Sequence, residues 1–169
     1  SIFDYFAAGV NSAGIYLASN SSDWTITGNK FYQTQARTVT SGSTHRGIHI
    51  TTSNGSGYVI TNNTIGFGDN SGSGFSTYTG TGTRFVAMDL TTSTATAAIA
   101  SSIQGNIIGG ISISATTGTT TAPGVFTGIF NSTGKVAIGN VLGNQIGIGG
   151  INATITTSTE REPEELAIA

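Results

Sequence analysis

Alternating apolar and polar positions recur four times along the chain and predict short β-strands. The pattern is seen in AGIYL at 13–17, RGIHI at 46–50, VAMDL at 86–90 and TGIFN at 127–131. Apolar residues two positions apart, such as Ile48 and Ile50, lie on one face of a strand, so each strand is predicted to have a single buried face. No segment sustains the period of an amphipathic helix, and the chain is therefore predicted to be all-β.

A second motif follows each copy of the first and contains an asparagine. Asparagine is a poor strand residue and is costly to bury without hydrogen-bond partners. Burial is explained if identical residues stack about 4.8 Å apart, because each side-chain amide can then donate to one neighbour and accept from the other. The motif is ITGNKF at 26–31, ITNNTI at 60–65, IQGNII at 103–108 and VLGNQI at 141–146. We predict a structural ladder made of Asn29, Asn63, Asn106 and Asn144.

The order and spacing of the two motifs define a repeat architecture. The asparagines are separated by 34, 43 and 38 residues, and the segments between the repeats vary in length. Each repeat has two clear strands, which is too few for the four-stranded blade of a propeller. The pattern favours a parallel β-helix, a solenoid of about four irregular coils over residues 1–158, in which each strand pairs with its copy in the next coil.

Composition restricts the function classes. Only 8 % of the 169 residues are charged and the net charge is −2, so no basic surface for nucleic acid is predicted. No apolar run approaches the roughly 20 residues of a membrane span, and no membrane insertion is expected. Cysteine is absent, which excludes disulfides and thiolate metal ligands. The chain begins at Ser1 without an initiator methionine and is interpreted as a mature fragment of a longer protein.

Several of these segments resemble a known family. The pairing of GIYL…WTITGNKF with GIHI…YVITNNTI is similar to the right-handed parallel β-helix repeats of the pectin-lyase-like superfamily. SSIQGNIIGG and GVFTGIF resemble the Thr/Ser/Gly-rich β-helix arrays of large secreted bacterial surface proteins. The resemblance implies a right-handed β-helix on the cell surface or outside the cell. It leaves the activity open, because the superfamily includes lyases, glycosidases, tailspikes and adhesins.

Enzymatic members of that superfamily bring carboxylates together on one face. Before the C-terminal stretch, this chain has only four acidic residues, and their positions in the repeats are not predicted to converge: Asp4, Asp23, Asp69 and Asp89. No catalytic residue and no cofactor is therefore predicted. The histidines, His45 and His49, have no cluster of metal ligands beside them, so no metal site is predicted. A carbohydrate-active β-helix, either a polysaccharide lyase or a glycoside hydrolase, is kept as the alternative.

One set of outward residues is a candidate binding surface. If Ile15, Ile48, Met88 and Ile129 face inward, the next residue of each motif faces outward. We name these four residues the outer row and predict that they bind a ligand, with unrelated surface residues as the competing interpretation: Tyr16, His49, Asp89 and Phe130. Arg46 and Arg84 both precede the motif and are expected to form a solvated positive edge, with an anionic-glycan contact as the alternative. Trp24 and Tyr58 precede the second motif and are predicted to stack inward.

Together these patterns predict a non-enzymatic structural or adhesive β-helix module of an exported bacterial surface protein. Its expected partner is a polysaccharide or a cell-surface glycan, with end-to-end or trimeric self-association as a further option for an open-ended solenoid. The C-terminal stretch, residues 159–169, holds half of the eight acidic residues and is predicted to be an acidic tail or a cap.

Overall fold

The described part of the protein consists of β-strands joined by turns and loops. The structure, a computed structural model, describes residues 1–6, 10–39, 42–115 and 124–155, with side chains described as far as residue 151. The described strands, in chain order, are β1 (Ile2–Phe3), β2 (Ser12–Leu17), β3 (Thr25–Thr27), β4 (Lys30–Tyr32), β5 (Arg37–Val39), β6 (Thr44–Thr51), β7 (Val59–Thr61), β8 (Thr64–Gly66), β9 (Ser76–Gly80), β10 (Arg84–Thr91), β11 (Ser101–Gln104), β12 (Ile107–Ala115), β13 (Phe126–Thr133), β14 (Val136–Ile138) and β15 (Gln145–Ile155).

All strand pairs in this part of the chain are parallel, and they form three sheets. No helix occurs within the described ranges, and therefore none that is long and apolar enough to cross a membrane. The prediction of an all-β chain with parallel strand pairing is confirmed. The acidic tail predicted at 159–169 lies outside the described residues.

The first sheet contains the four copies of the first motif. Its spatial order is β13-β10-β6-β2, so each strand lies beside the equivalent strand of a neighbouring repeat. The register aligns the inward aliphatic position through all four strands, pairing Ile15 with Ile48, Ile48 with Met88, and Met88 with Ile129. Ile48 and Met88 are fully buried in the middle of this sheet.

The second sheet, in the order β14-β11-β7-β3, contains the aliphatic start of the second motif. Ile26 pairs with Ile60, and Ile60 pairs with Ile103, as the motif alignment predicts. In the last repeat, however, Ile103 pairs with Ile138, whereas the motif alignment places Val141 there. The alignment is wrong at this position because extra residues separate the strand from Asn144, and Val141 is 85 % exposed in the resulting loop.

The third sheet begins just after each ladder asparagine. Its order is β1-β4-β8-β12-β9-β5, and β15 pairs with the other edge of β12. The long strand β12 pairs with β8 through its first part and with β9 through its second part. Each repeat therefore sends its chain through the first, second and third sheets in turn.

The core lies between the sheets, and the two motifs pack against each other there. A Cβ atom added to Gly47 of the first motif would lie 2.9 Å from Cγ2 of Ile65, the apolar end of the second motif in the same repeat. At Gly14 the equivalent Cβ atom would lie 2.7 Å from Cδ1 of Phe31. The backbone of the next repeat is equally close, since the Cβ atom on Gly47 would also lie 2.7 Å from Ala87 O. Both the apolar side chain from the third sheet and the neighbouring strand therefore favour a small residue at this position of the first motif.

Trp24 and Tyr58 differ in solvent exposure, although both were predicted to stack inward. Tyr58 is fully buried, but Trp24 is 52 % exposed, so the prediction is wrong for Trp24. Trp24 directly precedes β3, which is the edge strand of the second sheet, and no further strand covers it on that side in the described part of the chain. Burial at this position therefore depends on the place of the repeat in the stack.

Candidate functional site

The four predicted ladder asparagines are joined in one column of hydrogen bonds. Asn29 donates to Asn63 through its backbone N–H at 3.0 Å and through Nδ2 at 3.2 Å, and both donors meet the same Oδ1. Asn63 donates to Asn106 Oδ1 in the same way, at 3.0 Å from both nitrogens. Asn106 donates to Asn144 Oδ1 at 3.0 and 2.9 Å. The ladder has one polarity, because each residue donates to the following repeat.

The second proton of the ladder amides satisfies the backbone of the preceding repeat. Nδ2 of Asn63 donates to Ile26 O at 2.9 Å, and Nδ2 of Asn106 donates to Ile60 O at 2.9 Å. Both side chains are fully buried, and all of their polar atoms are paired. This explains how an asparagine is tolerated between buried isoleucines, since burial leaves no polar group without a partner.

The residue before the ladder makes the turn between the second and third sheets. Gly28, Asn62 and Gly105 have φ angles of 65°, 56° and 62°, in the left-handed region. Glycine adopts this conformation without strain, and asparagine tolerates it better than most side chains. The left-handed backbone conformation therefore explains why the residue before each of these ladder asparagines is glycine or asparagine.

Gln104 organises the extra loop of the last repeat, and sequence analysis missed this role. Gln104 pairs in register with Thr61, but its longer side chain reaches the loop. Nε2 donates to Ala137 O at 3.0 Å and to Asn140 Oδ1 at 2.7 Å, while Oε1 accepts from Val141 N at 3.2 Å and from Leu142 N at 3.1 Å. The only signal in the sequence is a glutamine where the first two repeats have threonine, Thr27 and Thr61.

The outer row is brought together by the register of the first sheet. Tyr16 pairs with His49, His49 with Asp89, and Asp89 with Phe130. Tyr16 is 57 % exposed, and His49 and Phe130 are partly exposed. Three strand spacings of about 4.8 Å separate the two ends, so the row is roughly 14 Å long and runs across the strands.

Asp89 differs from the expectation of an exposed residue, because it is only 8 % exposed. Arg46 lies against it, with Nε donating to Asp89 Oδ2 at 2.6 Å, and the two side chains are 17 % and 11 % exposed. The prediction that Arg46 and Arg84 form a solvated edge is thus wrong for Arg46. The two arginines are also not paired in register, because Arg46 lies opposite Val86. A charge-assisted pair of this kind is stronger than a neutral hydrogen bond and orders both side chains.

His49 links the aromatic end of the row to this ion pair. Its ring centroid lies 5.0 Å from that of Tyr16 with an interplanar angle of 31°, and its Nε2 lies 3.8 Å from Asp89 Oδ2. Burial lowers the pKa of His49, and the charge of Arg46 lowers it further, although Asp89 acts in the opposite direction. His49 is therefore neutral at pH 7, and the negative charge of Asp89 in the row is matched by the positive charge of the adjoining Arg46.

A second histidine, His45, lies inside the core. It stacks 5.8 Å from Tyr78 and occupies the register position of Ser12 and Phe85. Its Nδ1 shares a hydrogen bond of 2.7 Å with Ser12 Oγ, and its Nε2 has no partner among the described atoms. Burial lowers the pKa of His45 to about 4, with Arg46 adding to the effect, so the ring is a neutral member of the core.

The remaining carboxylates have separate environments. Asp4 accepts from Thr34 N at 2.9 Å, and Asp69 Oδ1 accepts from Ser71 N at 2.7 Å within its own turn. Burial raises the pKa of Asp4, but hydrogen bonds from Thr34 and the charge of Arg37 outweigh it and lower the pKa overall. The pKa of Asp69 is lowered mainly by its hydrogen bond from Ser71. A general acid at neutral pH is favoured by a raised pKa, and the pKa values of Asp4 and Asp69 are both lowered.

A cleft of about 270 Å³ lies on the third sheet, away from the outer row, and Lys30, Tyr32, Phe67 and Asp69 contribute to its lining. Lys30 Nζ is already engaged by Asn70 O at 2.6 Å. No group of three or more His, Asp or Glu side chains that could hold a metal ion occurs among the described residues. The outer row, where an exposed ring adjoins an ordered ion pair, is the stronger candidate for a binding site.

Comparison of the chain with protein-family models, with curated proteins and with solved structures found no match.

Proposed function

We propose that the three sheets are the faces of one right-handed parallel β-helix of about four coils, similar to the pectin-lyase-like repeats. Successive strands of each repeat belong to the first, second and third sheets, and each strand pairs with its equivalent one repeat away. The close approach of the Ile65 side chain to Gly47, which leaves no free space for a Cβ atom, supports a common interior for the first and third sheets. The continuous ladder is expected where coils stack on one axis.

We further propose that the module is a non-enzymatic structural and adhesive part of an exported bacterial surface protein, and that the outer row binds glycans. The observation that carries this proposal is the alignment of Tyr16, His49, Asp89 and Phe130 in a single register row. Exposed aromatic rings stack on the apolar faces of sugars, while an adjacent polar group orients the hydroxyls. The separate environments of Asp4, Asp69 and Asp89 favour binding over cleavage.

The test is a panel of polysaccharides and glycans probed with the purified protein, with binding and newly released chain ends measured together. We expect binding without release, and we expect the double variant Tyr16→Ala/His49→Ala to lose it. Trp24→Ala is the matched control, because Trp24 is a similarly exposed aromatic residue (52 % against 57 % for Tyr16) that directly precedes a strand of the second sheet.

Each result decides between specific alternatives. Loss of binding in Trp24→Ala as well as in the row variant would indicate general aromatic adhesion. Release of chain ends would instead support the carbohydrate-active alternative. No binding to any polymer would leave a purely structural module and would overturn the role of the row.

A further inference from the structure

We infer that the outer row selects neutral, hydroxyl-rich glycans and discriminates against uronic-acid polymers. The inference rests on the proposed function, since it names the class of glycan that the row takes. Its basis is the charge of the site, which the pairing of Arg46 with Asp89 brings to zero.

Arg46 is the only cation in contact with the row among the described residues, and its charge is already matched. Its Nε lies 2.6 Å from Asp89 Oδ2, and the pair is largely shielded from solvent. Arg84 begins β10 five residues before Asp89, which corresponds to roughly 16 Å along an extended strand. At that distance, beyond a Debye length at physiological ionic strength, its field at the row is screened.

A bound carboxylate would therefore meet Asp89 as a like charge close to Arg46. To form an ion pair with the guanidinium, it would have to compete with a fixed carboxylate that is already desolvated and hydrogen-bonded. A sugar hydroxyl faces no such competition, because it can donate to a carboxylate oxygen and accept from a guanidinium N–H. The pair thus favours hydroxyl groups and disfavours anions.

The aromatic part of the row fits the same ligand. Tyr16 offers an exposed ring at one end, and His49 is neutral and lies 5.0 Å from it between centroids. Neither residue supplies a charge for an acidic polymer. A glycan lying along the roughly 14 Å row, perpendicular to the strands, would place its apolar faces on the rings and its hydroxyls over the ion pair.

The experiment compares a soluble neutral polysaccharide, mixed-linkage β-glucan or galactomannan, with polygalacturonate by isothermal titration at low and high salt. We expect the natural protein to bind the neutral polymer, with little dependence on salt. Asp89→Asn leaves Arg46 without its counter-charge, and we expect it to gain about tenfold in affinity for polygalacturonate at low salt, with the gain lost at high salt. Asp23→Asn changes the net charge equally, away from the row, and is expected to have no such effect.

A double variant, Arg46→Gln/Asp89→Asn, removes both charges and is expected to restore the preference for the neutral polymer. It also guards against misfolding of Asp89→Asn, and melting midpoints of all variants are measured alongside. Binding of polygalacturonate in preference to the neutral polymer, dependent on Tyr16, would overturn the inference while leaving glycan binding intact. The absence of binding to every polymer would overturn the proposed function and this inference with it.

Discussion

The asparagine ladder and the outer row are both columns with one residue from each repeat, but they differ in composition and environment. The ladder uses the same residue four times, and its central members, Asn63 and Asn106, are fully buried. The outer row uses four different residues and includes Tyr16, which is 57 % exposed. A column whose members bond to one another must repeat its chemistry, whereas a column that faces solvent is free to vary.

This difference separates the part of the ladder in stability from the proposed part of the outer row in recognition. Replacing a central ladder residue, Asn63 or Asn106, removes partners from two neighbouring repeats at once, so its effect on folding is large. Replacing the exposed Tyr16 removes its ring contact with His49 but no buried hydrogen bond, so its effect on folding is small. Variants in the two columns should therefore affect different measurements, and the following predictions are ordered from the largest expected effect to the smallest.

Asn63→Ala is expected to lower the free energy of unfolding by about 3 kcal/mol. The substitution leaves Asn29 N–H without its acceptor and removes the Nδ2 donor from Ile26 O and from Asn106 Oδ1, which keeps only the backbone N–H of residue 63. Denaturant unfolding measures the change. Asn54→Ala is the control. It removes an exposed hydrogen bond of 3.0 Å from Asn54 Nδ2 to Asn20 Oδ1 and should change stability by less than about 0.5 kcal/mol. Equal effects in the two variants would contradict a stabilising ladder.

Acidification is expected to destabilise the protein through His45. Its pKa is lowered in the folded state to about 4 from an ordinary value of 6.5. The unfolded chain therefore binds the proton first, so stability is fully present above pH 6.5 and falls as the pH decreases towards 4, by up to about 3 kcal/mol. His45→Phe should remove most of this dependence, because phenylalanine does not bind a proton. The substitution should fit the site, since phenylalanine already occupies positions 85 and 126 of the same register column. Unfolding curves at pH 7, 5.5 and 4 test this, and an unchanged pH slope in His45→Phe would contradict it.

Gln104→Thr restores the residue type of the equivalent position, Thr61, but should lower stability by about 1–2 kcal/mol. The shorter side chain cannot reach Val141 N and Leu142 N, which donate to Gln104 Oε1. Hydrogen exchange of these two amides should accelerate, while exchange in β7 and β11 stays slow. Gln35→Thr, at an exposed position, is the control. Unchanged exchange at 141 and 142 would show that the loop is held by other contacts.

Tyr16→Ala should have the smallest effect on folding, less than about 0.5 kcal/mol, because much of the ring is exposed on an edge strand of the first sheet. The same variant is expected to abolish glycan binding. A large loss of stability would place Tyr16 with the structural residues and weaken the contrast between the two columns. Thermal unfolding followed by circular dichroism makes the comparison.

Sequence patterns predicted the strands and the ladder positions because both depend on local regularities. Alternation at Ile48 and Ile50 identifies a half-buried strand without any knowledge of its neighbours. The asparagine recurs after glycine or asparagine and two positions before an apolar residue, and a buried amide that is repeated in this way can be satisfied by bonding to its own copies. The same reasoning failed in the last repeat, where Ile138 and not Val141 completes the second sheet.

Tertiary structure alone decided the pairs that depend on register between distant strands. Arg46 meets Asp89 across 43 residues because β6 lies beside β10 with His49 opposite Asp89. The variable segments between repeats conceal that alignment, so the sequence predicted a solvated arginine and an exposed aspartate. The sequence also did not reveal which residues at the edge of a sheet are exposed. Trp24 and Tyr58 occupy equivalent positions, but only Tyr58 precedes a strand that has neighbours on both sides. Local periodicity determines which face of a strand is buried, but the neighbouring repeats determine what each side chain touches.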